Sequence, residues 1–211
     1  MAVEEFIVLD NATARRSLAR FIDPLARLLL RFKVTPDGIT WFGCGATIFI
    51  ATVFLARGEF LMGAILFGIF SLIDLLDGTM ARMLGTAGPW GAFLDSTLDR
   101  ISDAAVICAF IYFYVNNNGG NSQLAVIAGT VALVMSLMTS YARAKAESLD
   151  AKCTVGIAER AERNLLIWIA LLVSGLVTDV MPYALTLLAV LSTITVIQRM
   201  VFVRKQLVSR A

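Results

Sequence analysis

The sequence predicts an all-α, polytopic membrane protein. Six transmembrane helices follow an N-terminal interfacial amphipathic helix, with both termini in the cytoplasm. Three observations lead there. Apolar side chains make up 58% of the 211 residues and charged ones 16%, with a mean hydropathy of +0.79; a soluble domain holds about 45–50% and about 25%. Six stretches reach the roughly 20 mostly apolar residues that a bilayer-crossing helix needs. The basic residues also fall on alternate sides of those stretches, as positive-inside bias requires.

The same composition excludes other classes. Disorder is incompatible with so much apolar surface. The three cysteines, Cys44, Cys108 and Cys153, lie too far apart for a disulfide framework. Eighteen basic residues are balanced by 16 acidic ones, which argues against nucleic-acid binding. Histidine is absent, so His-based triads and the usual zinc sites are excluded. Proton chemistry must fall to carboxylates, Lys, Tyr or Cys. Met1 to Asp10 carries Glu4 and Glu5 and no long apolar run, which is unlike a cleaved signal peptide.

The elements follow in order. Residues 1–37 form a cytoplasmic segment in which Asp23-Pro24 reads as a helix N-cap and first position. Leu25, Leu28, Leu29 and Phe32 then recur at helical spacing, with Arg27 and Arg31 on another face. Such a helix lies in the headgroup layer, Arg side toward anionic lipid; a soluble linker helix is the alternative. The membrane domain, 38–203, holds spans at about Gly38–Ala56, Phe60–Met83, Trp90–Val115, Leu124–Ala146, Arg160–Thr178 and Tyr183–Val203. Short turns at Arg57-Gly58, at Gly85 to Gly88 and at Asn116 to Ser122 join them. Each of the four prolines, Pro24, Pro36, Pro89 and Pro182, marks a helix start. A basic tail, 204–211, ends the chain. The loops after spans 1, 3 and 5 contain Arg57 and no other Lys or Arg, which places the opposite side in the cytoplasm.

Spans 2 and 3 contain Asp74, Asp77, Asp95 and Asp99, with Asp103 one turn further. A charged side chain at mid-membrane costs about 2.5–3.5 kcal/mol on the lenient insertion scale. Four deep ones would cost roughly as much as a whole domain's stability. Asp74 and Asp77 are i, i+3, and Asp95 and Asp99 are i, i+4, so each pair projects from one helix face. Four carboxylates without sulfur or imidazole suit a hard divalent cation, Mg²⁺ or Mn²⁺. They could hold two ions, as in two-metal phosphate chemistry. An Asp–Arg network through Arg82 and Arg100 is the structural alternative. Gly78, Ala81 and Gly91 beside these acids would admit a phosphate ligand close to the backbone, and Arg82 could take its oxygens. Helix packing is the alternative for the glycines.

The run Asp74-Leu-Leu-Asp77-Gly78-Thr-Met-Ala81-Arg82, eight residues, Gly91-Ala-Phe-Leu-Asp95-Ser-Thr-Leu-Asp99 resembles the full signature of the CDP-alcohol phosphotransferase family. All eight fixed positions are present at the family's spacing. The family's six-helix fold agrees with the spans counted. The resemblance implies that Asp74, Asp77, Asp95 and Asp99 hold two Mg²⁺ or Mn²⁺ ions and that Asp99 is also the general base. It implies a CDP site at Gly78, Ala81, Arg82 and Gly91. Thr35-Pro36-Asp37-Gly38-Ile39-Thr40 resembles the family's Pro-Asn-x-x-Thr element, with Asp37 in place of Asn. Asp37, Gly38, Ile39, Thr40 and Gly88 therefore join the expected CDP-diacylglycerol contacts. The implied reaction is attack of an acceptor hydroxyl on the β-phosphorus of a CDP-linked lipid, with CMP leaving. The family is typically homodimeric.

Cations on the cytoplasmic side favour an acceptor that carries a phosphate. Gly156-Ile-Ala-Glu159-Arg160-Ala-Glu162-Arg163 resembles a stretch of the family's actinobacterial phosphatidylinositol phosphate synthases. That resemblance implies an inositol phosphate site at Ser140, Arg143, Arg163 and Arg199. It also implies a multi-pass cell-membrane protein working at the cytoplasmic face on CDP-diacylglycerol and inositol phosphate. Positive-inside topology alone is the alternative for the basic set. Phosphatidylglycerophosphate synthesis is the alternative within the family. A divalent-cation transporter and a purely structural membrane protein are the alternatives outside it.

Overall fold

The computed structural model describes residues 22–117, 119 and 121–210; at 72–75 it describes the backbone alone. The first 21 residues of the expected N-terminal segment thus lie outside the described residues, and so does the Asp74 side chain.

Among the described residues seven α-helices follow one another. Helix α1 covers residues 22–31. It is followed by α2 (Pro36–Val53), a 3₁₀ turn (Leu55–Arg57), α3 (Phe60–Leu84), α4 (Pro89–Asn116), α5 (Ser122–Glu147), α6 (Arg160–Leu176) and α7 (Met181–Val208). No strand occurs among the described residues. Proline opens α2 and α4 and stands at the start of α7, where its missing N–H has no intrahelical role. Helix α7 runs on to Val208, so Arg204 and Lys205 ride on its last turns.

Among the described residues four segments are long and apolar enough to cross a bilayer: Pro36–Arg57, Phe60–Leu84, Ser122–Glu147 and Met181–Val208. The other two expected spans differ for physical reasons. Helix α4 has 28 residues but carries Asp95, Asp99, Arg100 and Asp103. Helix α6 has 17, short of the usual length. Large apolar side chains stand exposed along every long helix, among them Ile127, Leu176, Leu187 and Met200. Surface of that extent is at home against lipid. The chain is a multi-pass membrane protein.

The helices group into two compact units, one comprising residues up to Ala46 with Ile69–Asp99, the other Thr47–Gly68 with Arg100–Ala211. In the first unit, Ala26, Ile39, Leu76 and Met80 form a buried cluster, flanked by Ile22, Leu29, Leu30 and Val34. Helix α1 therefore packs inward through Ile22, Ala26, Leu29 and Leu30. Leu25, Leu28 and Phe32, the rest of the expected apolar stripe, are exposed. Residue 22 is already helical, so Asp23 lies inside α1 rather than at its cap.

In the second unit α5 presents small buried residues, Ala125, Ala128, Gly129, Ala132, Ser136 and Thr139. Helix α7 answers with Leu185, Leu188, Ala189, Ser192 and Thr195. Small faces let membrane helices approach closely, and the Ser136 and Ser192 hydroxyls come within 3.5 Å. Gly175 makes a comparable approach. A Cβ there would stand 2.5 Å from the Leu61 backbone nitrogen, so nothing larger fits without a backbone shift.

Candidate active site

The first unit carries the signature. On α2, Thr35 Oγ1 accepts from Gly38 N at 3.1 Å, capping the helix start. One turn later the Thr40 hydroxyl donates to Asp77 Oδ2 at 2.8 Å and leans on Pro36 O at 3.1 Å. Asp77 Oδ1 accepts from the Gly78 backbone N–H. Asp77 is therefore held by two donors from two helices, which leaves it oriented rather than free to rotate. Asp37 accepts from the Trp90 indole N–H at 2.9 Å, and Trp90 stacks on Phe93. Arg82 Nη2 donates to Thr79 Oγ1 at 3.0 Å. On α4, Asp95 is exposed and Asp99 is buried at 8% exposure, one turn apart on the same helix.

The glycines separate into two kinds. A Cβ at Gly91 would meet nothing within 4 Å, and at Gly78 only the Arg82 guanidinium at 3.4 Å. At Gly88 it would meet a single carbonyl at 3.7 Å. Gly129 and Gly175 have no such room. Packing explains the latter pair and leaves the signature glycines unexplained. Open space beside Asp77 is what a ligand approaching the backbone requires.

The donor chemistry at Asp77, Asp95 and Asp99 is all hard oxygen, which fits a divalent cation such as Mg²⁺ or Mn²⁺. Among the described residues no three carboxylate or thiol side chains make up a metal cage by themselves. The fourth expected ligand, Asp74, lies outside the described side chains.

The second unit holds the expected acceptor residues. Arg163, in the first turn of α6, is 5% exposed. Its Nη2 lies 3.4 Å from Asp103 Oδ2 and its Nη1 3.4 Å from Ala158 O. Arg160 Nε lies 3.7 Å from Asp103 Oδ1. Arg199 on α7 is 4% exposed; Nε donates to Val155 O at 2.9 Å and Nη1 to Thr139 O at 2.6 Å. It thereby fastens the loop before α6 to α5. Gly156, at φ +153° in that loop, closes against Thr195 and Arg199 where a side chain would collide. Ser140 lines a small cavity with Arg100 and Asp103. Arg143 is different: it is half exposed and pairs with Glu147 at 2.9 Å along α5. Structure thus gathers Ser140 and Arg163 around Asp103, and gives Arg199 two backbone partners. Trp90 and Asp103 were not among the expected site residues. Asp103 obeys the same rule as its neighbours, a carboxylate inside an apolar helix, and could have been found by it.

The chain is 41% identical over 200 residues to the phosphatidylinositol phosphate synthase of Cutibacterium acnes, covering 90% of this chain and 96% of that one. It is 39% identical over 204 residues to the synthase of the same name from Streptomyces avermitilis, covering 93% and 83%. The crystal structure of the Mycobacterium tuberculosis phosphatidylinositol phosphate synthase with CDP-DAG bound superposes with a TM-score of 0.82 at 37% identity, covering 88% of this chain and 94% of that one. A second structure of that synthase, in complex with manganese and citrate, gives 0.81 at 36% identity, covering 86% and 88%. The model of the CDP-alcohol phosphatidyltransferase family matches residues 33–202. By that match and those identities, the chain belongs to the CDP-alcohol phosphatidyltransferase family.

Proposed function

We propose that the chain transfers the phosphatidyl group of CDP-diacylglycerol to inositol phosphate, giving phosphatidylinositol phosphate and CMP. The observation that carries this reading is the open space at Gly78, next to an oriented Asp77, together with that at Gly91. The relatives' shared name supports the choice of acceptor. Two buried arginines, Arg163 and Arg199, support it independently, because a buried guanidinium fits an anionic ligand.

Gly78, Ala81, Arg82, Gly88 and Gly91, with Asp37 to Thr40, would receive the cytidine diphosphate. Asp74, Asp77, Asp95 and Asp99 would hold two Mg²⁺ or Mn²⁺ ions, which when bound offset negative charge on the diphosphate. Thr40 and the Gly78 N–H keep the Asp77 carboxylate turned to that task. Ser140, Arg143, Arg163 and Arg199 would take the acceptor's phosphate. The acceptor oxygen forms its bond to the β-phosphorus as the bond to the CMP oxygen breaks. The hydroxyl proton goes to Asp99, whose burial keeps bulk water from it.

The setting belongs to the same proposal. Six spans in the domain 38–203 cross the cell membrane, α4 and α6 completing the four apolar ones. Residues 1–37 and the tail 204–211 face the cytoplasm, as does the site, and the protein is a homodimer.

The test supplies the purified protein in detergent with CDP-diacylglycerol, Mg²⁺ or Mn²⁺ and one labelled acceptor at a time. Expected is metal-dependent CMP release with inositol phosphate and a labelled phosphatidylinositol phosphate. Preference for glycerol 3-phosphate would assign phosphatidylglycerophosphate synthesis instead. No CMP release with any alcohol, beside metal flux in vesicles, would assign a transporter.

A further inference from the structure

We propose that Asp103 is a positioning residue for the acceptor: it presets the Arg160 and Arg163 guanidiniums for a phosphomonoester. The proposal rests on the acceptor reading above.

Asp103 reaches both arginines at once, one through each carboxylate oxygen, at 3.7 and 3.4 Å. Its side chain is 16% exposed and that of Arg163 6%. The arginines occupy the first and fourth positions of α6, where the helix dipole disfavours positive charge. Helix stability therefore does not account for them. Glu159 and Glu162 on the same turn are exposed, so the charge that this turn buries is that of Arg163.

The contact lengths suit a holder rather than a closed pair. They exceed the 2.7–2.9 Å of a tight charge-assisted bond. Asp103 and the Ala158 carbonyl take two of the five N–H donors of Arg163, and the other three remain for phosphate oxygens. Without Asp103 the two arginines would lose the carboxylate they share, and Arg163 one of its two anchors. The acceptor's phosphate would then have to order them on binding, which weakens affinity for that substrate alone. Ser140 lines the same cavity as Asp103 and Arg100, so the hydroxyl and the carboxylate face one volume.

The experiment measures kcat and both KM values for the wild type, Asp103→Asn and Asp103→Glu, with inositol phosphate and free inositol as acceptors. Asp103→Asn should raise the acceptor KM about 10- to 100-fold and leave the CDP-diacylglycerol KM within about twofold. Asp103→Glu should fall between Asn and wild type. In an Arg163→Gln background, Asp103→Asn should add little, because the two act through one contact. An unchanged or lowered acceptor KM in Asp103→Asn overturns the proposal, as does an equal rise for both substrates or full additivity with Arg163→Gln. Should Asp103→Asn fail to fold, Asp103→Glu carries the same test: a selective acceptor effect supports the proposal and a uniform one overturns it. A wild type that uses free inositol as well as inositol phosphate overturns the acceptor reading and this proposal together. A phosphate-dependent wild type with an indifferent Asp103→Asn overturns this proposal alone.

Discussion

The Thr40 hydroxyl on α2 donates to Asp77 Oδ2 on α3 at 2.8 Å, joining residues 37 apart in sequence. Thr40 belongs to the element expected to touch the nucleotide, and Asp77 to the expected metal ligands. One hydrogen bond thus links substrate contact to ligand orientation. Thr40→Val keeps the shape and removes the donor. Hydrogen bonds to charged groups contribute about 1.5–3 kcal/mol, so the divalent-ion concentration for half-maximal activity should rise about tenfold or more. A metal titration of CMP release reads this directly. An unchanged titration curve would mean that Asp77 needs no help from α2.

Asp77→Asn and Asp95→Asn should each abolish turnover and divalent binding while the protein still inserts and melts cooperatively. A carboxamide offers one neutral oxygen in place of a charged pair, which a hard cation binds poorly. EDTA should silence the wild type in the same assay, and added Mg²⁺ or Mn²⁺ should restore it. Full activity of either mutant at saturating metal would refute the assignment.

Much of this molecule can be read from its sequence because its determinants are local. Proline at the head of α2, α4 and α7, and glycine in the turns, place the helix ends within a few residues. The motif acids betray themselves by being charged within apolar helices. Other features depend on who the neighbour is. Leu25, Leu28 and Phe32, read as the apolar side of a headgroup-layer helix, are exposed, and the side of α1 that packs on protein is marked instead by the small Ala26. In a membrane protein lipid and protein are both apolar, so periodicity alone cannot choose the packed face. The Asp103–Arg163 contact spans 60 residues and the Asp37–Trp90 contact 53. Neither has a local signal.

Gly91→Ala and Gly175→Ala should fail in opposite ways. At Gly91 a methyl meets nothing in the protein, and alanine favours a helix by about 1 kcal/mol. Stability should hold or rise, while the KM for CDP-diacylglycerol climbs because the methyl occupies ligand space. At Gly175 the methyl meets the Leu61 backbone, and overpacking costs about 1–3 kcal/mol. There the melting temperature should fall and the KM of the folded fraction stay put. Thermal melts and kinetics on both mutants check the contrast.

Arg163→Ala and Arg143→Ala should each raise the acceptor KM and spare that of CDP-diacylglycerol. The two residues differ in what else they do. Arg143 pairs with Glu147 at the surface, an interaction worth about 0.3–0.5 kcal/mol, so its loss barely touches stability. Any large kinetic effect at Arg143 must then come from the acceptor. Arg163 is buried against Asp103, so its removal also strands a carboxylate. It should lower the melting temperature as well as affinity.

Asp99→Asn separates proton transfer from metal binding. Asparagine keeps the size of the side chain and one oxygen but cannot accept the acceptor's proton. Asp99 is buried at 8% exposure, so a stray water is poorly placed to substitute. General-base catalysis is typically worth about 10²–10⁴-fold, and kcat should fall by that order. CDP-diacylglycerol affinity should weaken far less, because three other carboxylates remain for the ions. The check is to measure lipid-nucleotide affinity and single-turnover rate on one preparation of the mutant. If affinity collapses while the rate per bound complex stays near wild type, Asp99 serves the metal alone. The proton must then leave through water or the substrate's own phosphate.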